Sequence, residues 1–225
     1  MGAAAAIFDV AFHTTMRAAD RLVDAAYGVR TAIERQYDAE AAERTRHRDP
    51  ETNMPSYYLR LLALRRTLPL SADDVLVDLG CGAGRALFVF ARAGLRVVRG
   101  LEFHGETCRL AAENVRRFDP RGVQIEILHV DAAAYPFSDE TIVYLFNPFG
   151  RATLRAVLDN LRANLALHPR RVRICYYHPL HADLFDAMPW LRRGKTVPGF
   201  KTDIAIYDTR ALSPSNLAPL KKSLR

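Results

Sequence analysis

From Asp74 onward the chain alternates short apolar runs with longer amphipathic stretches. The runs at 75–79, 96–101, 124–130, 142–147 and 171–177 predict strands, and the stretches at 84–93, 105–118 and 151–166 predict helices. Strands and helices taken in turn predict a doubly wound α/β fold, with a mostly parallel sheet and helices on both faces. After Asp131 only a short connection follows, without periodicity of its own. Leu191 to Val197 and the alternating Thr202-Asp203-Ile204-Ala205-Ile206-Tyr207 predict a closing β-hairpin.

The first third of the chain reads differently. Ala3 to Ala26 has helical spacing, with Phe8, Phe12, Met16 and Leu22 near one face and Gly28 as its stop. Residues 31–52 are dense in charge, and their spacing fits a helix and loop as well as a lid. Pro55 and Ser56 then start a helix through Tyr57, Leu61, Leu64 and Leu68, which Pro69 stops. The expected organisation is an N-terminal helical cap or lid over 1–54 and a larger domain over 55–225.

The densest signal lies where the first strand meets the first helix of that domain. Asp78 ends the strand, Gly80, Gly82 and Gly84 follow at alternate positions, and a helix starts near Arg85. Glycines there let the backbone turn sharply and let a ligand come close. A helix start also offers unpaired N–H groups to a polar ligand. The nicotinamide and flavin fingerprint needs a small residue at the sixth position from Gly80, to pack helix on strand. That position is Arg85, so the oxidoreductase reading is the poorer one. Glu102, twenty residues after Gly82, ends the second strand, where a carboxylate accepts hydrogen bonds from ribose hydroxyls.

The pattern Asp-x-Gly-x-Gly-x-Gly resembles the first motif of the class I methyltransferases, which use S-adenosylmethionine. The resemblance runs from about Pro55 to Tyr207, to a bacterial group of mostly undefined substrate. It rests on VLVDLGCGAGRAL (75–87), GLEFHGETCRLAAENV (100–115), VDA (130–132), LFNPFG (145–150) and YYHPLH (176–181). AYGVRT (26–31) is similar to an upstream segment of that group, with Arg30 where Asp is commoner. The resemblance implies a seven-stranded sheet whose C-terminal pair includes an antiparallel strand. It implies cofactor contacts at Ser56, Asp78, Gly80, Cys81, Gly82, Gly84, Glu102, Asp131 and Ala132, with Asp131 on the adenine amino group. Amino-directed methyltransferases end a strand in Asn-Pro-Pro-aromatic and grip the target nitrogen there. Asn147-Pro148-Phe149 matches in part, which makes Asn147 and Phe149 candidates to flank the acceptor. Tyr177 and His178 close the next strand and are candidates for the same pocket, although an Asn is common at position 178 in that group.

Composition narrows the surroundings. The chain has 225 residues, 49% of them apolar, enough for one sizeable core, and no run of apolar residues reaches the length of a membrane span. The N-terminal apolar run lacks a basic start and is broken by Asp9, which argues against a signal peptide. Cys81, Cys108 and Cys175 show no metal or redox spacing and suggest a reducing cytoplasm, with Cys81 serving as a small residue in the glycine turn. His178 and His181 have no acidic or cysteine partner in sequence, so no metal site is expected.

The net charge of +7 comes with 28 Arg and only 4 Lys, a skew that coding bias explains as well as an acidic partner does. Basic pairs are scattered and no nucleic-acid-binding motif accompanies them, so a nucleic-acid acceptor is open but not favoured. The expected activity is methyl transfer from S-adenosylmethionine to an unidentified acceptor, a small molecule or a protein side chain, at N or O. The alternatives are a regulatory or scaffold protein that binds the cofactor without transfer, or an RNA- or DNA-directed methyltransferase. Neither the acceptor nor the oligomeric state is legible.

Overall fold

The structure is a computed structural model that describes residues 3–32 and 55–210. The charged stretch expected at 31–52 lies outside these apart from Thr31 and Ala32. Among the described residues, α1 (Ala3–Tyr27) and α2 (Tyr58–Thr67) come first. Then β1 (Val75–Leu79), α3 (Arg85–Ala91), β2 (Val97–Glu102), α4 (Gly105–Arg117) and β3 (Gln124–His129) alternate. A 3-10 turn (Ala132–Ala134) follows Asp131, before β4 (Ile142–Leu145), α5 (Arg151–Leu167) and β5 (Arg173–Tyr177). The chain continues through the short α6 (Ala182–Asp186), which the sequence reading missed, to β6 (Leu191–Val197) and β7 (Ile204–Thr209).

The seven strands form one sheet in the order β3-β2-β1-β4-β5-β7-β6. β3, β2, β1, β4 and β5 run parallel. β7 is antiparallel to β5 and to β6, as expected of the closing hairpin. The order reverses between β1 and its neighbours, since β2 and β3 lie to one side and β4 and β5 to the other. Such a reversal opens a crevice outside the C-terminal ends of the strands.

Both faces of the middle strands β1, β2, β4 and β5 are buried, and strand periodicity sorts side chains between them. Along β4, Ile142 and Tyr144 join the core under α2 and α3, while Val143 and Leu145 join the core under α5 and α6. Along β5, Cys175 and Tyr177 face the first core, Ile174 and Tyr176 the second. All of α3 is buried, Arg85 included, so this helix packs as a central element and not as a surface one.

Arg85 is where the N-terminal helices attach. Its side chain is 4% exposed. Nε donates to the Thr31 hydroxyl at 2.7 Å, and Nη1 donates to Asp20 Oδ2 at 2.5 Å and to the Ser56 carbonyl at 2.9 Å. The guanidinium also lies 4.9 Å from the centre of the Tyr58 ring. Asp20 Oδ1 accepts the Tyr58 N–H, and Asp24 accepts the Thr31 N–H, the Thr31 hydroxyl and the Tyr58 hydroxyl, each at 2.7 Å. Burial still holds the Asp20 carboxyl above its ordinary value, against the pull of Arg85.

The segment after α1 is held by its backbone. Asn114 on α4 accepts the Arg30 N–H and donates to the carbonyls of Arg30 and Ala83. Farther along the same edge, α2 holds the β6–β7 turn. Arg60 donates to the carbonyls of Val197 and Pro198 at 2.9 and 2.6 Å, and Phe200 of that turn packs against Phe8 and Phe12 of α1. α1 thus runs along the carboxyl edge of the sheet, from the end of the glycine turn to the hairpin.

Asp20→Ala leaves the Arg85 charge buried without its carboxylate. The expected loss is about 3–5 kcal/mol of unfolding free energy, read from denaturant midpoints of the variant and the parent chain.

Candidate active site

β1 stops at Leu79 and the chain turns through Gly80 with φ +75, Gly82 with φ +56 and Gly84 with φ +94. Asp78 therefore lies inside the strand, one residue before its end. The N–H groups of Gly80 and Cys81 both donate to the Leu101 carbonyl, at 2.9 and 2.8 Å, which pins the turn to the end of β2. A Cβ on Gly80 would lie 2.4 Å from the Pro148 Cβ, so at this point the turn touches the strand-end loop of β4 and tolerates no side chain. Gly100 on β2, which the sequence reading passed over, has the same character. A Cβ there would meet Cys81 Sγ at 2.6 Å. Cys81 turns its side chain inward onto Gly100, and burial pushes its thiol well up.

Glu102 ends β2 and is 4% exposed. One carboxylate oxygen accepts the Gly82 N–H at 2.9 Å and the other accepts the His104 N–H at 2.8 Å. A carboxylate offers about four lone-pair sites, so both oxygens keep acceptor capacity while they fix the turn. Asp78 is equally buried, at 4%. Burial and the Glu102 charge push its carboxyl well above the ordinary carboxylate range, and no hydrogen bond counters them. The turn therefore encloses two acidic side chains, one of them poorly compensated, at the C-terminal ends of adjacent parallel strands.

Asp131 follows β3, where its Oδ1 accepts the Ala133 N–H at 2.8 Å and caps the 3-10 turn. Ala132 is buried among Val77, Leu79 and Leu101. Ser56 lies at the other end of the site. Its hydroxyl pairs with the Tyr144 hydroxyl at 2.6 Å, and Tyr144 is the cross-strand partner of Asp78.

β4 ends two residues earlier than its apolar run predicts, because Asn147 takes φ +41. His178, after β5, takes φ +52. The left-handed region is uncommon outside glycine and concentrates at functional turns. These two residues brace each other: Asn147 Nδ2 donates to the His178 carbonyl at 2.7 Å, and Asn147 Oδ1 accepts the Tyr176 hydroxyl at 2.7 Å. Tyr176, the partner that fixes Asn147, was not among the expected site residues. Period-two alternation sends its side chain to the face opposite Tyr177.

Phe149 is buried at 9% among Leu145, Leu154 and Val157, in the core under α5. The aromatic residue of this loop that meets the β5 end is Phe146, stacked on Tyr177 at 4.3 Å. Tyr177 is itself buried, with Arg60 near its ring, and burial pushes its hydroxyl up to about 12. It is protonated at neutral pH.

Comparison with known proteins agrees with this fold. Residues 76–166 match the family described as a methyltransferase domain. None of the curated proteins matches the sequence significantly. Among solved structures, an RNA methyltransferase from Salinibacter ruber in complex with S-adenosyl-L-homocysteine shares 22% identity at a TM-score of 0.53, over 74% of this chain and 100% of that one. A ribosomal protein L11 methylase from Lactobacillus delbrueckii subsp. bulgaricus shares 14% identity at 0.51, over 68% and 77%. A magnesium protoporphyrin IX methyltransferase from Synechocystis PCC 6803 with bound SAM shares 18% at 0.50, over 67% and 74%. At these identities the structures speak for the fold. The match over residues 76–166 and the order of the sheet agree in giving this chain the fold of these methyltransferases.

The buried acid at position 78 has a consequence for stability. In the unfolded chain an Asp ionises near 3.9, whereas folded Asp78 holds its proton to higher pH. Stability from the protonated form is fully present below the unfolded value and is lost as pH rises through the folded value. Asp78→Asn removes that loss. In denaturant titrations without ligand, the variant is expected to be more stable than the parent at about pH 7.5 and to match it near pH 4.

Proposed function

We propose that this chain is an S-adenosylmethionine-dependent methyltransferase acting at N or O of a small molecule or a protein side chain. The observation that carries the reading is the pair of buried carboxylates, Asp78 and Glu102, around a turn whose Gly82 N–H is bonded to Glu102. When bound, S-adenosylmethionine supplies a methyl group activated by a positive sulfonium. Asp78, on losing the proton that burial and Glu102 make it hold, would give that cation and its ammonium group a countercharge. The remaining lone pairs of Glu102 face ribose hydroxyls, and Asp131 with Ala132 lines the adenine side. Ser56 borders the methionine end.

Asn147, held from both sides by Tyr176 and His178, orients the acceptor in line with the methyl carbon. Alignment of this kind supplies several kcal/mol of barrier lowering without a covalent nucleophile. Phe146 provides the aromatic wall in the place first expected of Phe149. Tyr177 supports that wall from beneath, and its protonated hydroxyl does not serve as the base. α1 caps the acceptor side. Free thiols at Cys81, Cys108 and Cys175 support a cytoplasmic location, and no helix among the described residues is long and apolar enough to cross a membrane.

Calorimetry tests the reading directly. S-adenosylmethionine and S-adenosylhomocysteine are expected to bind saturably, one per chain, and NADH not at all. Gly82→Val, which strains a φ of +56, is expected to abolish that binding while circular dichroism shows the fold retained. Unchanged affinity in this variant would remove the turn from the site.

Proton linkage provides a second check. A cation beside Asp78 favours the carboxylate, so binding at about pH 7 is expected to release protons, seen as a heat that depends on the buffer's ionisation enthalpy. Asp78→Asn should cancel the buffer dependence.

A further inference from the structure

We infer that the outer face of α1 is a self-association surface, on which a second copy of this chain lays its own α1 antiparallel across a two-fold axis. This surface is independent of the methyl-transfer reading. It is defined by what the helix does beneath. Asp20 and Asp24 are buried, and their bonds to Arg85, Thr31 and Tyr58 hold that side of α1 against the rest of the chain. The opposite side is therefore presented outward in a fixed orientation. It carries Phe8, Ala11, Thr15, Ala18, Leu22 and Ala25, all of them exposed. Phe8 is 55% exposed and Leu22 74%. Single exposed apolar residues are ordinary, whereas a contiguous apolar surface marks an interaction site.

The row has the period of a two-helix seam. The intervals between its members are three, four, three, four and three, the a and d positions of successive heptads. None of the six residues is charged. Arg17 and Arg21 fall at the c and g positions, to one side of the seam. Thr14, beside the seam, donates its hydroxyl to the Val10 carbonyl at 2.7 Å, so covering it strands no donor.

The order of sizes along the seam selects the occupant. In an antiparallel pair each a position faces a d position of the other helix. Two copies of α1 then meet as Phe8 on Ala25, Leu22 on Ala11 and Thr15 on Ala18, and the two-fold axis repeats the same three pairs. Each large side chain faces an alanine, the alternation by which facing layers interdigitate. A parallel pair instead sets Phe8 on Phe8 and Leu22 on Leu22, with alanines facing alanines between them, so the helices touch only at the large residues. It also sets Arg21 beside Arg21. The antiparallel pair separates those two charges by about nine residues, which is ~13 Å at the rise of a helix and beyond the Debye length of about 8 Å at physiological ionic strength. A lipid surface asks only for apolar area and makes no use of this pairing of sizes. From Phe8 to Ala25 the strip is about 26 Å long and about 10 Å wide. That footprint is small beside the ~800 Å² per partner of a standard interface, so the dimer is expected to be weak and to form in the micromolar range.

The test is sedimentation velocity on the full chain, from sub-micromolar to near-millimolar concentration. The parent is expected to shift reversibly from monomer to dimer. Ala18→Glu, which puts a charge at the centre of the seam, is expected to stay monomeric throughout. Its thermal midpoint in dilute solution should equal the parent's, because Ala18 is exposed in the single chain. Cross-linking reads the orientation, in a Cys108→Ser background whose remaining cysteines, Cys81 and Cys175, are buried. Under mild oxidation Ala11→Cys and Leu22→Cys are each expected to remain uncross-linked alone and to form a disulfide-linked dimer when mixed. A parent that is monomeric at every concentration overturns the inference, and its binding to phosphatidylserine vesicles would then make the face a membrane contact. A dimer that Ala18→Glu leaves intact also overturns it. Cross-linking of each variant with itself and not with the other would make the pair parallel, against the seam described. A lowered midpoint for dilute Ala18→Glu would mean that the face is covered from within the chain, and it too overturns the inference.

Discussion

A single buried cation organises the approach to this site. Arg85 is the first residue of α3, directly after the glycine turn, and its guanidinium ties together α1, the segment at Thr31 and the start of α2. Burying a charge is costly unless it is paired and hydrogen-bonded. Here one carboxylate, one hydroxyl, one carbonyl and a ring face meet that need, and each comes from an element N-terminal to the sheet. The N-terminal helices are thereby fixed with respect to the turn. The side chain too large to pack helix against strand in the nicotinamide fingerprint is, in this chain, the attachment point of the N-terminal helices.

The turn shows the opposite electrostatic arrangement. Glu102 is bonded through both oxygens, whereas Asp78 is buried beside it with burial and like charge both against ionisation. Asp78 is therefore a local destabilisation within the turn, a cost of the kind that functional sites commonly carry. The left-handed backbone at Asn147 and His178 is a second local cost at the same edge of the sheet, offset by the bonds those two residues make to each other and to Tyr176.

Much of this was legible from the chain alone, because it depends on local patterns. Strand and helix alternation, the glycine spacing and the position of Glu102 are properties of adjacent residues, and the sheet order follows once they are placed in the methyltransferase family's topology. What the sequence did not disclose depends on side chains meeting across long separations. The Arg85 network joins residues 20, 24, 31, 56, 58 and 85, and neither spacing nor composition marks them as a set. Phe149 was a candidate by motif position, yet after Pro148 the chain turns back into the core under α5, and Phe146 meets the end of β5 in its place. Strand ends were overextended at β4 because hydrophobicity does not register the positive φ that stops the ladder at Asn147.

Arg30 departs from the residue commonest at its position in the resembling group, and the contacts there explain how it does so without harm. Asn114 reads the N–H and the carbonyl of residue 30, and the side chain itself is exposed. The contacts at this point constrain the path of the main chain and make no demand on the side chain of residue 30. The constraint is carried instead by Asn114, 84 positions away, so sequence variation among relatives of this chain should concentrate at position 30 and spare position 114.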